Sequence, residues 1–283
     1  MPETIFYLEG RGGMYPYHFF LLNLGGLYYI SNNIYNIRVP NTSGLLEDIS
    51  KVVDSPSNPI TFPIKIYMKD ILPFHREAFE IIKEKFELLE ELPTHSDYEI
   101  VSIYGEPISD NSSYHICRNP YIIYPFIRNL FLEQIHYDMI PKKRIFITRK
   151  NSECQHGGLL KRAILNEDEL IARLNKYNFE YVQLENYTTL EKINLFMESE
   201  IILSSHSGSL TFSLFANKNA KIIEILNQGT QGFCNNHYID LCSTLGLNYY
   251  RYKNISEDNN GNFELDVNKF EEYLINNINI RNI

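Results

Sequence analysis

The chain has 283 residues, a net charge of -9 and 44% hydrophobic residues, which is typical of one large or two modest globular domains. The acidic balance argues against a protein whose main task is to bind nucleic acid, since that task needs an overall basic face. No run of about 18 apolar residues is present. The first residues lack the basic segment and apolar core of a signal peptide. The sequence therefore predicts a cytoplasmic protein without a membrane span.

The cysteines do not form a pattern that carries chemistry. Four in a chain of this length do not make a disulfide scaffold. Cys234, His237 and Cys242 are close in sequence, but a zinc site needs a fourth ligand at a similar spacing, so the sequence predicts no metal. The 21 tyrosines and the absence of tryptophan are typical of an AT-rich genome, as in a parasite, an intracellular bacterium or a large DNA virus.

The first half of the chain alternates strands and helices, although less cleanly than the second. The predicted elements are a strand over 4–8, a helix over 17–27 that ends at Gly25-Gly26, a strand over 64–68, a helix over 73–89, a strand over 98–104 and a helix over 121–136.

The second half has shorter connections between its elements. The pattern predicts strands over 144–148, 181–184, 201–204 and 221–226, and helices over 166–176 with Asn166 as the N-cap, 189–198, 209–216 and 267–277. This alternation predicts a parallel sheet covered by helices. A boundary near Pro141 divides the chain into domains 1–138 and 139–283, and the last helix could pack on either.

The sharpest local feature is a loop of small residues between a strand and a helix. The loop reads His206-Ser207-Gly208-Ser209-Leu210 after a buried strand. Backbone N–H groups and the positive end of a helix dipole make such a turn an anion site, typically for phosphate. The alternative is an ordinary turn with capping serines.

Basic residues and one acidic residue are predicted near the same edge of the sheet. Arg149 and Lys150 follow one strand, Arg162 precedes the next helix, and a guanidinium can fork onto two phosphate oxygens. The alternative for these residues is a solvated basic loop. Glu224 lies in an apolar strand, where it could bind ribose hydroxyls, pair with an arginine or point outward from an edge strand.

These features occur together in an order that resembles glycosyltransferase family 61. The matching stretches are Arg144-Ile145-Phe146-Ile147-Thr148-Arg149, Arg162 with Asn166-Glu167, Ser205-His206-Ser207-Gly208-Ser209-Leu210-Thr211 and Ile222-Ile223-Glu224. Tyr17-His18-Phe19 resembles a further segment of the family. Two departures stand out: the glycine after His206 is displaced by one residue, and Phe212 replaces the family's asparagine.

The resemblance implies a GT-B architecture, in which two Rossmann-like domains with parallel sheets face each other across a cleft. It implies an inverting enzyme that moves a sugar from a nucleotide-sugar donor, UDP-linked, to a hydroxyl of a glycan or glycoprotein. The donor would lie on the second domain, with Arg149, Lys150, Arg162, Glu224, His206 and the 207–210 backbone around it. The sequence has no convincing Asp-x-Asp motif, so neither a metal nor another cofactor is expected.

Inversion needs a general base for the acceptor hydroxyl. The resemblance favours His18 for that role, with Glu9 as the second choice. Two other interpretations are open. One is a non-catalytic glycan- or nucleotide-binding protein with the same fold. The other is an unrelated α/β enzyme with a phosphate loop, although the main phosphate-loop signature is absent.

Overall fold

The computed structural model describes residues 3–9, 19–33, 52–53, 56–93, 98–104, 120–135, 140–149, 162–227, 236–253, 257–259 and 261–281. The chain divides into two compact units, Met1–His136 and Tyr137–Ile283. Each unit contains a five-stranded sheet, and the strand pairs of both sheets are parallel. Both units therefore have the α/β organisation that the alternating pattern predicts.

The first unit has the strand order β2-β5-β1-β3-β4, with β1 in the centre. Its strands are β1 (Glu3–Glu9), β2 (Val52–Val53), β3 (Ile64–Tyr67), β4 (Phe86–Leu89) and β5 (Tyr98–Tyr104). Its helices are a π-helical turn (Phe19–Asn23), α1 (Gly25–Ser31), α2 (Pro73–Ile81) and α3 (Pro120–Leu132).

The predicted helices of the first unit differ in their bounds from the observed ones, and two of them differ in more than length. Gly25 and Gly26 do not end a helix but begin α1, where both are buried. The helix predicted over 73–89 ends at Ile81, and its last part is strand β4, in which Phe86 pairs with Ile64 of β3. The helical spacing of apolar residues continues past Ile81 by coincidence, because Phe86 and Leu89 of the strand are three residues apart, an interval that is also typical of a helix face.

The second unit has the strand order β10-β9-β8-β6-β7. Its strands are β6 (Lys143–Ile147), β7 (Phe179–Val182), β8 (Ser199–Ser205), β9 (Lys221–Leu226) and β10 (Asn248–Lys253). Its helices are α4 (Glu167–Leu174), α5 (Thr189–Glu198), a 3-10 helix (Gly208–Phe215), α6 (His237–Leu245) and α7 (Val267–Tyr273), which a π-helical turn (Leu274–Ile278) extends. The order places β7 on one side of β6 and the later strands on the other, so the direction of the fold reverses between β6 and β8.

The two faces of this second sheet are covered by different helices. On one face Ile223 and Ile225 of β9 share a core cluster with Leu170 of α4 and Phe270 of α7. Because side chains alternate along a strand, Glu224 faces the opposite side. The last helix thus packs within the second unit.

Several predictions for the second unit were wrong in detail. Asn166 makes no side-chain capping bond to α4; its amide instead exchanges hydrogen bonds with the backbone of Leu265. Strand β7 begins two residues earlier than predicted. Helix α6 and strand β10 were not predicted at all. In the described part of the chain, no helix is long and apolar enough to cross a membrane.

Candidate functional site

The candidate site lies at the carboxyl ends of β6 and β8. In open parallel sheets, ligands bind outside the carboxyl ends of the strands at the point where the strand order reverses. Here that point falls between Arg149, which closely follows β6, and His206, which directly follows β8. The guanidinium Nη1 of Arg149 donates to the backbone carbonyl of His206 at 3.4 Å. The structure therefore brings together two of the predicted site residues.

The loop after β8 is held by hydrogen bonds from both neighbouring strands. The buried hydroxyl of Ser204 lies 3.3 Å from the carbonyl of Ile147 in β6. The amide of His206 donates to the carbonyl of Ile225 in β9 at 3.0 Å. On the helical side, the hydroxyl of Tyr238 donates to the carbonyl of Ser207 at 2.6 Å. These bonds fix the course of the backbone before a ligand arrives.

The 3-10 helix begins at the end of this loop. Its first hydrogen bond runs from the amide of Leu210 to the carbonyl of Ser207 at 3.2 Å. The Leu210 amide, predicted to face an anion, therefore already has a partner, and the amides of Gly208 and Ser209 are the ones that precede the first helical bond. In the described part of the chain, no heavy atom lies within 4 Å of the position that a Cβ on Gly208 would occupy.

Glu224 is completely buried beneath the loop. Its Oε1 is bonded to Nδ1 of His206, and its Oε2 accepts from the hydroxyl of Tyr249. The Nη2 of Arg251 lies 3.7 Å from Oε2. The outward placement on an edge strand was wrong, because β9 lies between β8 and β10 in the sheet and the Glu224 side chain is buried. Pairing with an arginine, one of the predicted alternatives, is present.

The residues around Glu224 that were not predicted as site residues come from α6 and β10. Tyr238 of α6 packs its ring 5.5 Å from that of His206, centroid to centroid. Tyr249 and Arg251 face the same side of β10 as each other, and Nε of Arg251 donates to the Tyr249 hydroxyl at 3.0 Å. The tyrosine-rich sequence Tyr249-Tyr250-Arg251-Tyr252 is a strand signal that could have located them.

Two groups near Glu224 are kept uncharged at neutral pH. Burial, followed by the charge of Glu224, raises the pKa of the Tyr249 hydroxyl above its usual range. The same two causes raise the pKa of the buried Cys242 thiol on α6. Neither side chain is placed to act as an anion in this site.

Arg162 has an unusual backbone conformation and an orphaned donor. Its φ of 55° lies in the left-handed region, which costs a side-chain-bearing residue about 1 kcal/mol. Its Nε is buried and, in the described ranges, has no hydrogen-bond partner. An orphaned guanidinium donor fits a residue that binds a ligand.

A second buried carboxylate lies near the end of β6. Glu167, in the first turn of α4, is 3% exposed. The hydroxyl of Thr148, the residue after β6, lies 2.7 Å from each of its carboxylate oxygens. The sequence does not single out this pair as a site, because an acidic residue at a helix start is fully explained by the helix dipole.

The remaining predicted site residues lie wholly or partly outside the described residues. His18 and Lys150 are not described. Glu9 is the last residue of β1, where its backbone pairs with Tyr104 of β5, and its side chain is not described. Within the described ranges, no group of three or more His, Cys, Asp and Glu side chains could hold a metal ion.

Two parallel sheets with helices between their strands are consistent with a Rossmann-like glycosyltransferase fold. Residues 107–223 match the family model described as Glycosyltransferase 61, and the chain carries a domain of this family. The match includes Arg149, Arg162 and the loop from His206 to Leu210, and it ends one residue before Glu224. No curated protein sequence matches the chain. The family match supports a glycosyltransferase.

Proposed function

We propose that the chain is an inverting glycosyltransferase that moves a sugar from a UDP-linked donor to a hydroxyl of a glycan or glycoprotein. The observation that supports this proposal most directly is the meeting of Arg149 with the His206 loop where the strand order reverses. This is the point at which doubly wound sheets bind nucleotides, and it lies within the span matched by the family.

The donor site must stabilise the diphosphate that leaves. As the bond to the sugar breaks, negative charge develops on the phosphate oxygens, and preorganised donors aimed at those oxygens lower the barrier. Arg149 and Arg162 supply guanidinium groups for this purpose, and Lys150 adds a further cation. The amides of Gly208 and Ser209 add backbone donors at a helix start. In this proposal these groups take the place of a metal ion.

The acceptor is assigned to the first unit, as in a GT-B enzyme. Inversion is a single displacement at the anomeric carbon, so the attacking hydroxyl must pass its proton to a nearby base. His18 is the proposed base and Glu9 the second choice. The position of Glu9 at the carboxyl end of the central strand β1 is compatible with a role at that edge of the sheet.

The test is a thermal-shift panel of nucleoside diphosphates and their sugars, with and without Mn²⁺. A ligand that binds the native state raises the melting temperature. We expect a metal-independent rise with UDP and a larger rise with one UDP-sugar. Slow hydrolysis of that sugar without acceptor then identifies a catalyst, whereas binding without turnover indicates the non-catalytic alternative. No rise with any nucleotide would refute the donor site.

A further inference from the structure

We propose that Glu224 is a positioning residue, which keeps the imidazole of His206 protonated so that its Nε2–H can donate to the donor diphosphate. This inference rests on the proposed function, because it assigns a task to Glu224 and His206 within that donor site. It replaces the interpretation of Glu224 as a ligand for ribose hydroxyls.

The first observation is the burial of the Glu224 side chain. The side chain is 0% exposed, and a carboxylate is costly to bury unless donors surround it. Its two oxygens are bonded to different partners, Oε1 to His206 and Oε2 to Tyr249. A ribose would have to displace one of these partners from a closed interior position. The carboxylate is therefore built to act on His206 rather than on a ligand.

The second observation is which ring nitrogen of His206 is bonded to Glu224. Nδ1 is the bonded atom, and a carboxylate can only accept, so Nδ1 carries a proton. Nε2 is therefore the ring nitrogen that would exchange a proton or contact a ligand. A protonated ring donates from Nε2 and suits a phosphate, whereas a neutral ring with this tautomer could only accept there.

The third observation concerns the charged groups around the His206 ring. The Glu224 carboxylate is bonded directly to the ring of His206, and its negative charge favours the protonated ring. Arg149, on the carbonyl of His206, and Arg251, 3.7 Å from Glu224, oppose that charge at greater distance from the ring. The Tyr249 hydroxyl and the buried Cys242 thiol are neutral, because burial and Glu224 raise the pKa of each group. The ion pair of His206 with Glu224 is the closest of these interactions, and it decides the state of the ring.

The direct experiment is NMR of the protein with ¹⁵N-labelled histidine, with the His206 signals identified by their loss in His206→Gln. At pH 7 we expect both ring nitrogens of His206 to carry protons. A neutral His206 ring at pH 7, or a proton on Nε2 alone, would overturn the proposal, and this measurement needs only the wild-type protein.

Two variants test the cause of that protonation. Glu224→Gln keeps the size and the acceptor oxygen but removes the charge, so the pH midpoint of His206 should fall by at least about one unit. Arg251→Gln removes a positive charge that opposes protonation, so the pH midpoint of His206 should rise in this variant. An unchanged midpoint in Glu224→Gln, with the fold intact, contradicts the role of Glu224.

The consequence for binding is measured with UDP as the probe. The Kd of Glu224→Gln divided by the Kd of the wild type should increase as the pH rises past the lower of the two His206 midpoints. The full increase should be up to about tenfold for each pH unit that separates the midpoint of the variant from that of the wild type. Taking the ratio removes the titration of UDP itself. A ratio that does not change with pH indicates a merely structural role and overturns the proposal. Failure of the wild type to bind UDP, with His206 still protonated, refutes the donor site and leaves the ion pair intact.

Discussion

The guanidinium of Arg149 is hydrogen-bonded to the backbone carbonyl of His206, a residue 57 positions further along the chain, and this bond links the segments that follow β6 and β8. We expect Arg149→Ala to weaken UDP binding by about 1.5–3 kcal/mol, as for loss of a charged hydrogen bond, with little change in melting temperature. Isothermal titration measures the affinity. Lys143→Ala is the matched control, because Lys143 lies at the opposite end of the same strand. An equal loss in both variants would show that the effect is not local.

Gly208 offers a test of how close the ligand comes to the backbone. Gly208→Ala should leave the fold intact, because the space in front of it is open, and should weaken UDP binding by about 1–3 kcal/mol through overpacking against the phosphate. The control is Gly246→Ala. Gly246 has a φ of 67° at the end of α6, so this variant should lose about 1 kcal/mol of stability and keep its affinity. Unchanged affinity in Gly208→Ala places the phosphates elsewhere.

Arg162 combines a strained backbone with a donor that lacks a partner in the described ranges. Arg162→Gly removes the strain and the guanidinium together. The strain relieved and the extra chain entropy of glycine are each about 1 kcal/mol and oppose each other, so the free energy of unfolding should stay within about 1 kcal/mol of the wild type. UDP binding should weaken by about 1.5–3 kcal/mol. Chemical denaturation and titration measure the two quantities, and a large loss of stability with normal affinity would make Arg162 a structural residue.

The Tyr249 hydroxyl gives a prediction about alkaline pH. Its pKa is higher in the folded protein than the usual value near 10 because of burial and Glu224. A raised folded pKa contributes stability below the unfolded pKa, and that contribution is lost as the pH rises above it. Tyr249→Phe should therefore be about 1.5–3 kcal/mol less stable than the wild type at pH 8, and the difference should shrink above pH 10. Urea unfolding at both pH values measures it, and a constant difference would contradict the ionisation argument.

The strands that carry the candidate site could be predicted because their apolar runs are continuous. Ile201–Ser204 and Lys221–Leu226 differ from the observed strands by two residues or fewer at either end, and the carboxyl ends of parallel strands meet at one edge. This reasoning predicted that Arg149 and His206 would approach each other. It could not predict the bond from His206 to Glu224, which depends on the register that sets Ser204 beside Glu224.

Strand β10 could not be predicted from apolar content. Its sequence, Asn248–Lys253, has three tyrosines among polar residues, and most of its side chains are only half-buried. An edge strand has one neighbour and needs fewer apolar residues than a central one. The missed strand supplies Tyr249 and Arg251, so the surroundings of Glu224 could not be derived without it.

The dependence of Glu224 on β10 has a consequence for how the protein is made. A nascent chain that ends at residue 227 already contains Arg149, His206 and Glu224, but it lacks the hydroxyl that Oε2 of Glu224 accepts from. The open side of β9 would then face water, and the carboxylate would be solvated instead of enclosed. The second sheet can therefore close only after residue 253 has left the ribosome, so the candidate site is completed well after Arg149, His206 and Glu224 have been made.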